Sequence, residues 1–250
     1  MAFEPRWWEC ILLQSISRFH MTNSIIIVIP VYNGVTHLDF TGPHQVFARL
    51  QDAKIVVASV GAAPVTADGL TFTNLSNLEA VESCDVLCVP GGYGCTDAMQ
   101  SEVYMTAILR LAATARYITS VCTGSLILGA AGLLRGKRAT CHWAWRDCLS
   151  SFGAIPDAGR VVRDGNIFTG GGVTAGIDYA LTLIAELAGP ETAQSIQLVL
   201  EYAPAPPFQA GRPETAPPSV CEAVISRMAI ATTARRAIVE RVAAAMRTTV

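Results

Sequence analysis

Apolar runs alternate with helix-like segments along the chain from Ser24 onward. The run Ile25–Ile29 is continuous and β-branched, as in strands buried on both faces, and the segments 54–60, 85–89 and 116–121 also favour strands. Helical patterns cover 102–114, 123–134, 172–187 and 191–200, and another helix is expected to start near Thr41–Pro43. Hairpins are expected around Asp68-Gly69 and Asp164-Gly165. This order predicts an α/β fold with a mostly parallel sheet and helices on both faces.

The pattern also divides the chain into three predicted segments. Residues 1–22 precede the first strand and are interpreted as an N-terminal extension outside the fold. Residues 23–202 form the expected catalytic domain. Residues 203–250 comprise an extended Pro-rich segment and a final helix over about Val220–Arg247, which is expected to pack on the domain or on a partner subunit.

Composition excludes several classes of protein. The chain has 250 residues, a net charge of −2 and no long basic block, which argues against nucleic-acid binding. Its early apolar stretch at residues 10–13 is too short to span a membrane. The chain has eight cysteines but no paired C-x-x-C, which indicates reduced thiols in a cytoplasmic protein. Its four histidines are scattered, so no metal site is expected.

The segment Val121-Cys122-Thr123-Gly124-Ser125 is the strongest chemical signal in the sequence. A strand is expected to run straight into a helix here, as in a nucleophile elbow. A cysteine at a helix N-terminus is favoured as thiolate by the helix dipole, so Cys122 is the candidate nucleophile. The alternative is a small buried hydrophobic residue, which is the usual role of a free cysteine.

Three other turns follow predicted strands and would meet Cys122 at the same edge of the sheet. Gly92, in Pro90-Gly91-Gly92, can bring backbone N–H groups close to a ligand and form an anion-stabilising site with Thr123. Asp39 is either a helix cap, which the sequence alone favours, or a functional carboxylate. Gly170–Gly172 and Val173 open a helix but lack a nucleotide-binding fingerprint, so nucleotide binding is not expected.

His142 follows the elbow helix by a short interval. It has two interpretations: it could orient or deprotonate Cys122, or it could simply pack beside the neighbouring tryptophans. The sequence favours the packing interpretation and leaves the catalytic one open.

Several motifs together resemble the ThiJ/PfpI superfamily. They are VPGGYG, TSVCTGSLILGAAGLLRGKRAT, the HW pair, and VVRDGNIFTGGGVTAGIDYALTLIAEL. With LDFTGPHQVFARL and LEYAPAPPFQAG, they are most similar to the isocyanide hydratases within that superfamily. The resemblance covers about residues 25–218. It implies a flavodoxin-like sandwich, a homodimer, and cofactor-independent hydration of a small isocyanide to an N-substituted formamide, which is a hydro-lyase activity.

The resemblance also implies roles for individual residues. Cys122 matches the nucleophile, Asp39 the acidic partner, and Gly92 and Thr123 the oxyanion-site amides. Gly171 and Val173 match the pocket-lining helix start, although the hydratase pattern has Ile at position 173.

Three rival functions share parts of the same pattern. A glyoxalase or deglycase would use the same cysteine on an aldehyde. A thiol hydrolase would want a histidine directly after the cysteine, where this chain has Thr123. Some AraC-type regulators share the CTGS and HW motifs in a ligand-sensing domain, but they would need a DNA-binding module of about a hundred residues.

Overall fold

The computed structural model describes residues 24–248, so the expected extension over residues 1–22 lies outside the described residues. Seven strands form one sheet in the order β10-β11-β7-β6-β1-β2-β5, and all neighbours are parallel except β10 and β11. These strands are β1 (Ile25–Pro30), β2 (Ala53–Ser59), β5 (Ser76–Asn77), β6 (Val86–Val89), β7 (Tyr117–Val121), β10 (Val161–Asp164) and β11 (Ile167–Gly170). Two short pairs accompany the sheet: β3 (Val65–Ala67) with β4 (Leu70–Phe72), and β8 (Arg138–Ala139) with β9 (Ile155–Pro156).

Helices cover the sheet in two packed groups. The helices are α1 (His37–Phe47), α2 (Cys95–Gln100), α3 (Glu102–Thr114), α4 (Gly124–Ala130), α5 (Ala175–Ala188), α6 (Pro190–Val199) and α7 (Pro218–Thr248). Helix α5 contacts α1 and α6, whereas α2 contacts α3, α4 and α7. Every residue of β6, β7 and β11 is buried, as expected for central strands covered on both faces. The predicted flavodoxin-like architecture is confirmed.

The strand order fixes where a ligand would bind. From β1 the chain moves outward to β2 and β5, then returns to β6 on the other side of β1 and continues to β7. The order therefore reverses between β1 and β6, and open parallel sheets bind ligands outside the carboxyl ends of the strands at such a point. The segments that follow β1, β6, β7 and β11 carry Asp39, Gly92, Cys122 and Gly171 in turn.

Several predicted element boundaries were wrong. Helix α1 begins at His37 rather than near Thr41–Pro43, with Pro43 inside the helix. Helix α4 ends at Ala130 rather than Leu134, and Gly132 then turns the chain at a φ of 75°. Helix α5 begins at Ala175, because the glycines before it form a turn. Helix α2 and the 3-10 helix Trp143–Phe152 were not predicted.

The final helix packs on the domain itself. Val239 and Ala243 of α7 are fully buried in the core. Arg236 of α7 forms an ion pair of 2.6 Å with Asp147 of the 3-10 helix. Ser151 of the same 3-10 helix donates a hydrogen bond to Glu240. No helix in residues 24–248 is long and apolar enough to cross a membrane.

Candidate active site

Cys122 occupies a sharp turn between β7 and α4. Its φ is 56°, a left-handed value that is uncommon outside glycine. The turn is held by its own N–H, which donates to the carbonyls of Gly170 at 3.0 Å and Gly171 at 2.8 Å. A Cβ at Gly124, the first residue of α4, would lie only 2.2 Å from the Val89 carbonyl oxygen. The strand–turn–helix geometry predicted from the sequence is therefore confirmed, and Gly124 permits it.

Asp39 is fully buried in the first turn of α1. Its Oδ2 accepts a hydrogen bond of 3.0 Å from the Gly91 N–H, whereas Oδ1 has no hydrogen-bond partner among the described residues. The N-cap of α1 is Thr36, so the interpretation of Asp39 as a helix cap was wrong. The carboxyl group points inward to the turn after β6, not to the free amides at the start of its own helix.

The pKa of Asp39 is raised to about 7, chiefly because burial disfavours the charged carboxylate. The Gly91 N–H and the neighbouring Cys122 thiol act in the opposite direction, and the charge of Asp68 adds to the increase. Asp39 can therefore hold or release a proton near neutral pH, which suits a general acid–base group.

Burial also raises the pKa of the Cys122 thiol well above its ordinary value, and the Asp39 charge raises it further. The Thr123 N–H acts against both. The prediction that the helix dipole favours the thiolate did not include this burial, which disfavours the charged form of Cys122. Asp39 therefore loses its proton at a lower pH than Cys122 does, and above neutral pH the pair holds one proton.

Two hydrogen bonds join Gly92 and Thr123. The Gly92 N–H donates to Thr123 Oγ1 at 2.9 Å, and the Thr123 hydroxyl donates to the Gly92 carbonyl at 3.2 Å. The Gly92 amide, expected at an oxyanion site, is thus already engaged. A Cβ at Gly92 would lie 2.4 Å from the Gly34 carbonyl oxygen, so only glycine fits between these loops.

His142 lies beside the site without a hydrogen bond to Cys122 among the described contacts. Its Nδ1 accepts from the Ala144 N–H at 3.3 Å, and its ring packs next to Trp143 at a centroid distance of 5.4 Å. Burial lowers the pKa of His142, so the ring is neutral near pH 7. These contacts favour the packing interpretation over a role as catalytic base.

A cavity of about 310 Å³ opens above Cys122. Gly92, Thr123, His142 and Val173 line it, while Gly171 holds the elbow from behind through its carbonyl. A second cavity of about 500 Å³ lies on the far side of His142 and Val173, which line both cavities. The predicted site residues are therefore gathered at one place.

Helix α7 supplies one wall of the cavity, which the sequence did not reveal. We call this wall the roof; its residues are Arg227, Met228, Ala231, Thr232 and Arg235. We call the opposite side the floor; Gly92, Cys122 and Thr123 line it, and Asp39 and Gly91 pack behind them as part of the same floor. The turn Pro90-Gly91-Gly92 was predicted, but the hydrogen bond from Gly91 to Asp39 was not; a Cβ at Gly91 would lie 2.4 Å from the Thr123 nitrogen. The spacing of Arg227, Ala231 and Arg235 on one helical face was the available signal for the roof.

Comparisons with known proteins identify the family of this chain. The model of the DJ-1/PfpI family matches residues 24–186. An isonitrile hydratase of Pseudomonas putida is 54% identical over 211 residues, which cover 84% of this chain and 92% of that protein. A solved ThiJ/PfpI family protein from Pseudomonas syringae is 41% identical with a TM-score of 0.83, covering 91% of this chain and 99% of its own.

The transcription-regulator alternative has weaker support. The HTH-type transcriptional regulator GbdR of Pseudomonas aeruginosa is 33% identical over 140 residues, which cover 54% of this chain but only 37% of the regulator. The similarity is thus confined to a minor part of the regulator. The family model matches residues 24–186, and both the hydratase relative and the solved structure cover most of the chain. The chain belongs to the DJ-1/PfpI family.

Proposed function

We propose that this protein is an isocyanide hydratase that converts an isocyanide and water to an N-substituted formamide. The observation that carries the proposal is the buried Asp39 carboxyl, with a pKa of about 7, against the Cys122 thiol below a small-molecule cavity. The similarity to the Pseudomonas putida isonitrile hydratase supports the same activity.

The first step joins the thiol to the isocyanide carbon. The thiol proton of Cys122 first passes to the Asp39 carboxylate, and the resulting Cys122 Sγ thiolate attacks the terminal carbon of R–N≡C. Asp39 donates its proton to that carbon as the S–C bond forms. The product is a thioimidate, Cys122–S–CH=N–R, and Asp39 is left as carboxylate. The Thr123 N–H, which favours charge on Cys122, stabilises the attacking thiolate.

The second step adds water to the thioimidate. Asp39 accepts a proton from water as the oxygen bonds to the carbon, and it passes that proton to the nitrogen, so that it is again a carboxylate. The tetrahedral adduct Cys122–S–CH(OH)–NH–R then collapses: the S–C bond breaks, the hydroxyl proton returns to the Asp39–Cys122 pair, and R–NH–CHO leaves. All atoms and protons balance with the thiol, the carboxyl group and water, so the reaction calls for no cofactor.

The remaining site residues fit supporting roles. Gly171 fixes the Cys122 backbone through its carbonyl, and the bonds between Gly92 and Thr123 hold the two loops together. Val173 and His142 shape the side of the cavity. We assign these residues to positioning the substrate and the elbow.

The direct test is to incubate the purified full chain with cyclohexyl or aryl isocyanide and to measure the formamide by mass spectrometry. We expect formamide to accumulate with turnover. A chain that instead consumes methylglyoxal, and forms no formamide from several isocyanides, would belong with the glyoxalase or deglycase rivals.

We further propose that the protein is a cytoplasmic homodimer whose catalytic domain is residues 23–202, with 203–250 adding the Pro-rich segment and the helix that forms the roof. Leu198, Val199 and Phe208 are large apolar side chains with 81%, 70% and 77% of their surface exposed in the single chain, which favours a partner surface. Light scattering after size exclusion checks the dimer, and a monomer at micromolar concentration would contradict it. Cell fractionation checks the compartment.

A further inference from the structure

Helix α7 brings two arginines to the cavity that the proposed hydration of a neutral isocyano group does not use. The helix lies beyond residues 24–186, the part matched by the family model. Arg227, Ala231 and Arg235 are spaced by four residues, so they face the cavity together. The roof therefore comes from outside the matched residues, and it brings the positive charges of Arg227 and Arg235 to the cavity.

Arg235 has aromatic neighbours but no acidic partner among the contacts of the described residues. Its guanidinium lies 4.3 Å from the ring centre of Tyr93 and 5.4 Å from that of Trp145. The next residue, Arg236, faces away and is ion-paired with Asp147. Ring stacking orients the guanidinium plane but leaves its N–H edge available for a carboxylate.

The charges along the cavity are separated. Asp68 lines the cavity and raises the pKa of Asp39, so its charge acts on the floor side. Arg235 and Arg227 lie on the roof, which is the opposite wall of the cavity. Among the described residues that line the cavity, Arg227 and Arg235 oppose the single carboxylate of Asp68. A substrate with a neutral reacting end and an anionic tail matches this distribution.

We propose that the roof selects isocyanides whose nitrogen substituent ends in a carboxylate, with Arg235 as the residue that binds it. This inference rests on the proposed hydratase function. The isocyano carbon lies at Cys122, and the tail extends across the cavity toward the N–H edge of Arg235. Arg227 adds positive charge at the roof.

The test compares 4-isocyanobenzoate with 4-tolyl isocyanide, which has a similar shape and no charge. A charge-assisted hydrogen bond contributes enough free energy that kcat/KM for the carboxylate should exceed that for the tolyl compound by about 10- to 100-fold. Arg235→Met should remove this preference mainly through KM, and Arg235→Lys should retain part of it. Arg236→Met is the matched control: it loosens the same helix outside the cavity and should leave the ratio of the two kcat/KM values unchanged.

Binding gives a second readout that does not depend on turnover. Calorimetry with Cys122→Ala protein should show tighter binding of 4-isocyanobenzoate than of 4-tolyl isocyanide, and Arg235→Met in that background should abolish the difference. Equal binding of the two compounds, or a preference that survives Arg235→Met, would overturn the inference and leave Arg235 as a clamp between α7 and the domain. Preferential carboxylate binding without any formamide would uphold the selective roof and refute the hydratase function.

Discussion

The floor and the roof of the cavity are built in different ways. Main-chain contacts fix the floor: the Cys122 N–H donates to two carbonyls, and the Gly91 N–H donates to Asp39. Side chains of helix α7, which lies about a hundred residues after Cys122, form the roof. Arg235 of this helix stacks on the rings of Tyr93 and Trp145. The floor accepts few substitutions because a Cβ at Gly91, Gly92 or Gly124 would overlap backbone atoms.

This difference separates reaction from selection. Backbone geometry holds the Cys122–Asp39 pair for one kind of chemistry, so changes to the floor should alter the chemical step. Roof side chains line the cavity, and among the described hydrogen bonds none joins them to Cys122 or Asp39, so changes there should alter which isocyanide binds.

Cys122→Ala should have the largest effect, lowering kcat below about 10⁻⁴ of the wild-type value, since loss of a nucleophile removes the covalent route. The variant should remain folded, because alanine fits where the thiol is buried. Formamide production and thermal melting check both points. Cys221→Ala, on α7 outside the cavity lining, is the control and should turn over normally.

Asp39→Asn should lower turnover by about 10²- to 10⁴-fold, because the amide cannot carry the proton that the thioimidate steps need. His142→Ala should cost less than about tenfold through disturbed packing near Trp143. Measuring formamide production and the iodoacetamide alkylation rate on both variants separates the two residues. If His142→Ala removes both turnover and thiol reactivity while Asp39→Asn is mild, the assignment of the acid–base group is wrong.

The pH dependence of kcat/KM should follow the Asp39–Cys122 pair. The pKa of Asp39 is raised to about 7, and that of Cys122 lies higher still. Below pH 7 the pair holds two protons and lacks the charge that attacks, so kcat/KM should fall about tenfold per pH unit. It should rise to a plateau above pH 7. A profile with its acidic limb near pH 4 would mean that Asp39 is an ordinary carboxylate in the free enzyme.

Val173→Ile should have the smallest effect. It adds one methylene to the side wall of the cavity, worth about 0.8 kcal/mol or roughly fourfold in affinity. We expect KM to change by less than about fivefold, with the direction set by substrate size, and kcat to stay the same. A large loss of kcat would show that position 173 affects the elbow as well as the cavity.

The sequence was most informative where the functional residue lies in a turn whose backbone shape requires particular residues. Alternating strands and helices, with small residues after Cys122, predicted the sheet and the elbow because turns of this shape demand those residues. Asp39 was harder to interpret, since its burial and its bond to Gly91 arise from a loop fifty residues away. The roof was missed because the amphipathic pattern of α7 does not specify what its charged face meets.

The most direct test of the central claim is intact-protein and peptide mass spectrometry of the full chain, quenched with acid during turnover of an aryl isocyanide. We predict a transient adduct on the peptide containing Cys122, with the mass of the intact isocyanide, that decays as the formamide appears and is absent from Cys122→Ala protein. Formamide that forms at the wild-type rate in Cys122→Ala protein would contradict the covalent mechanism.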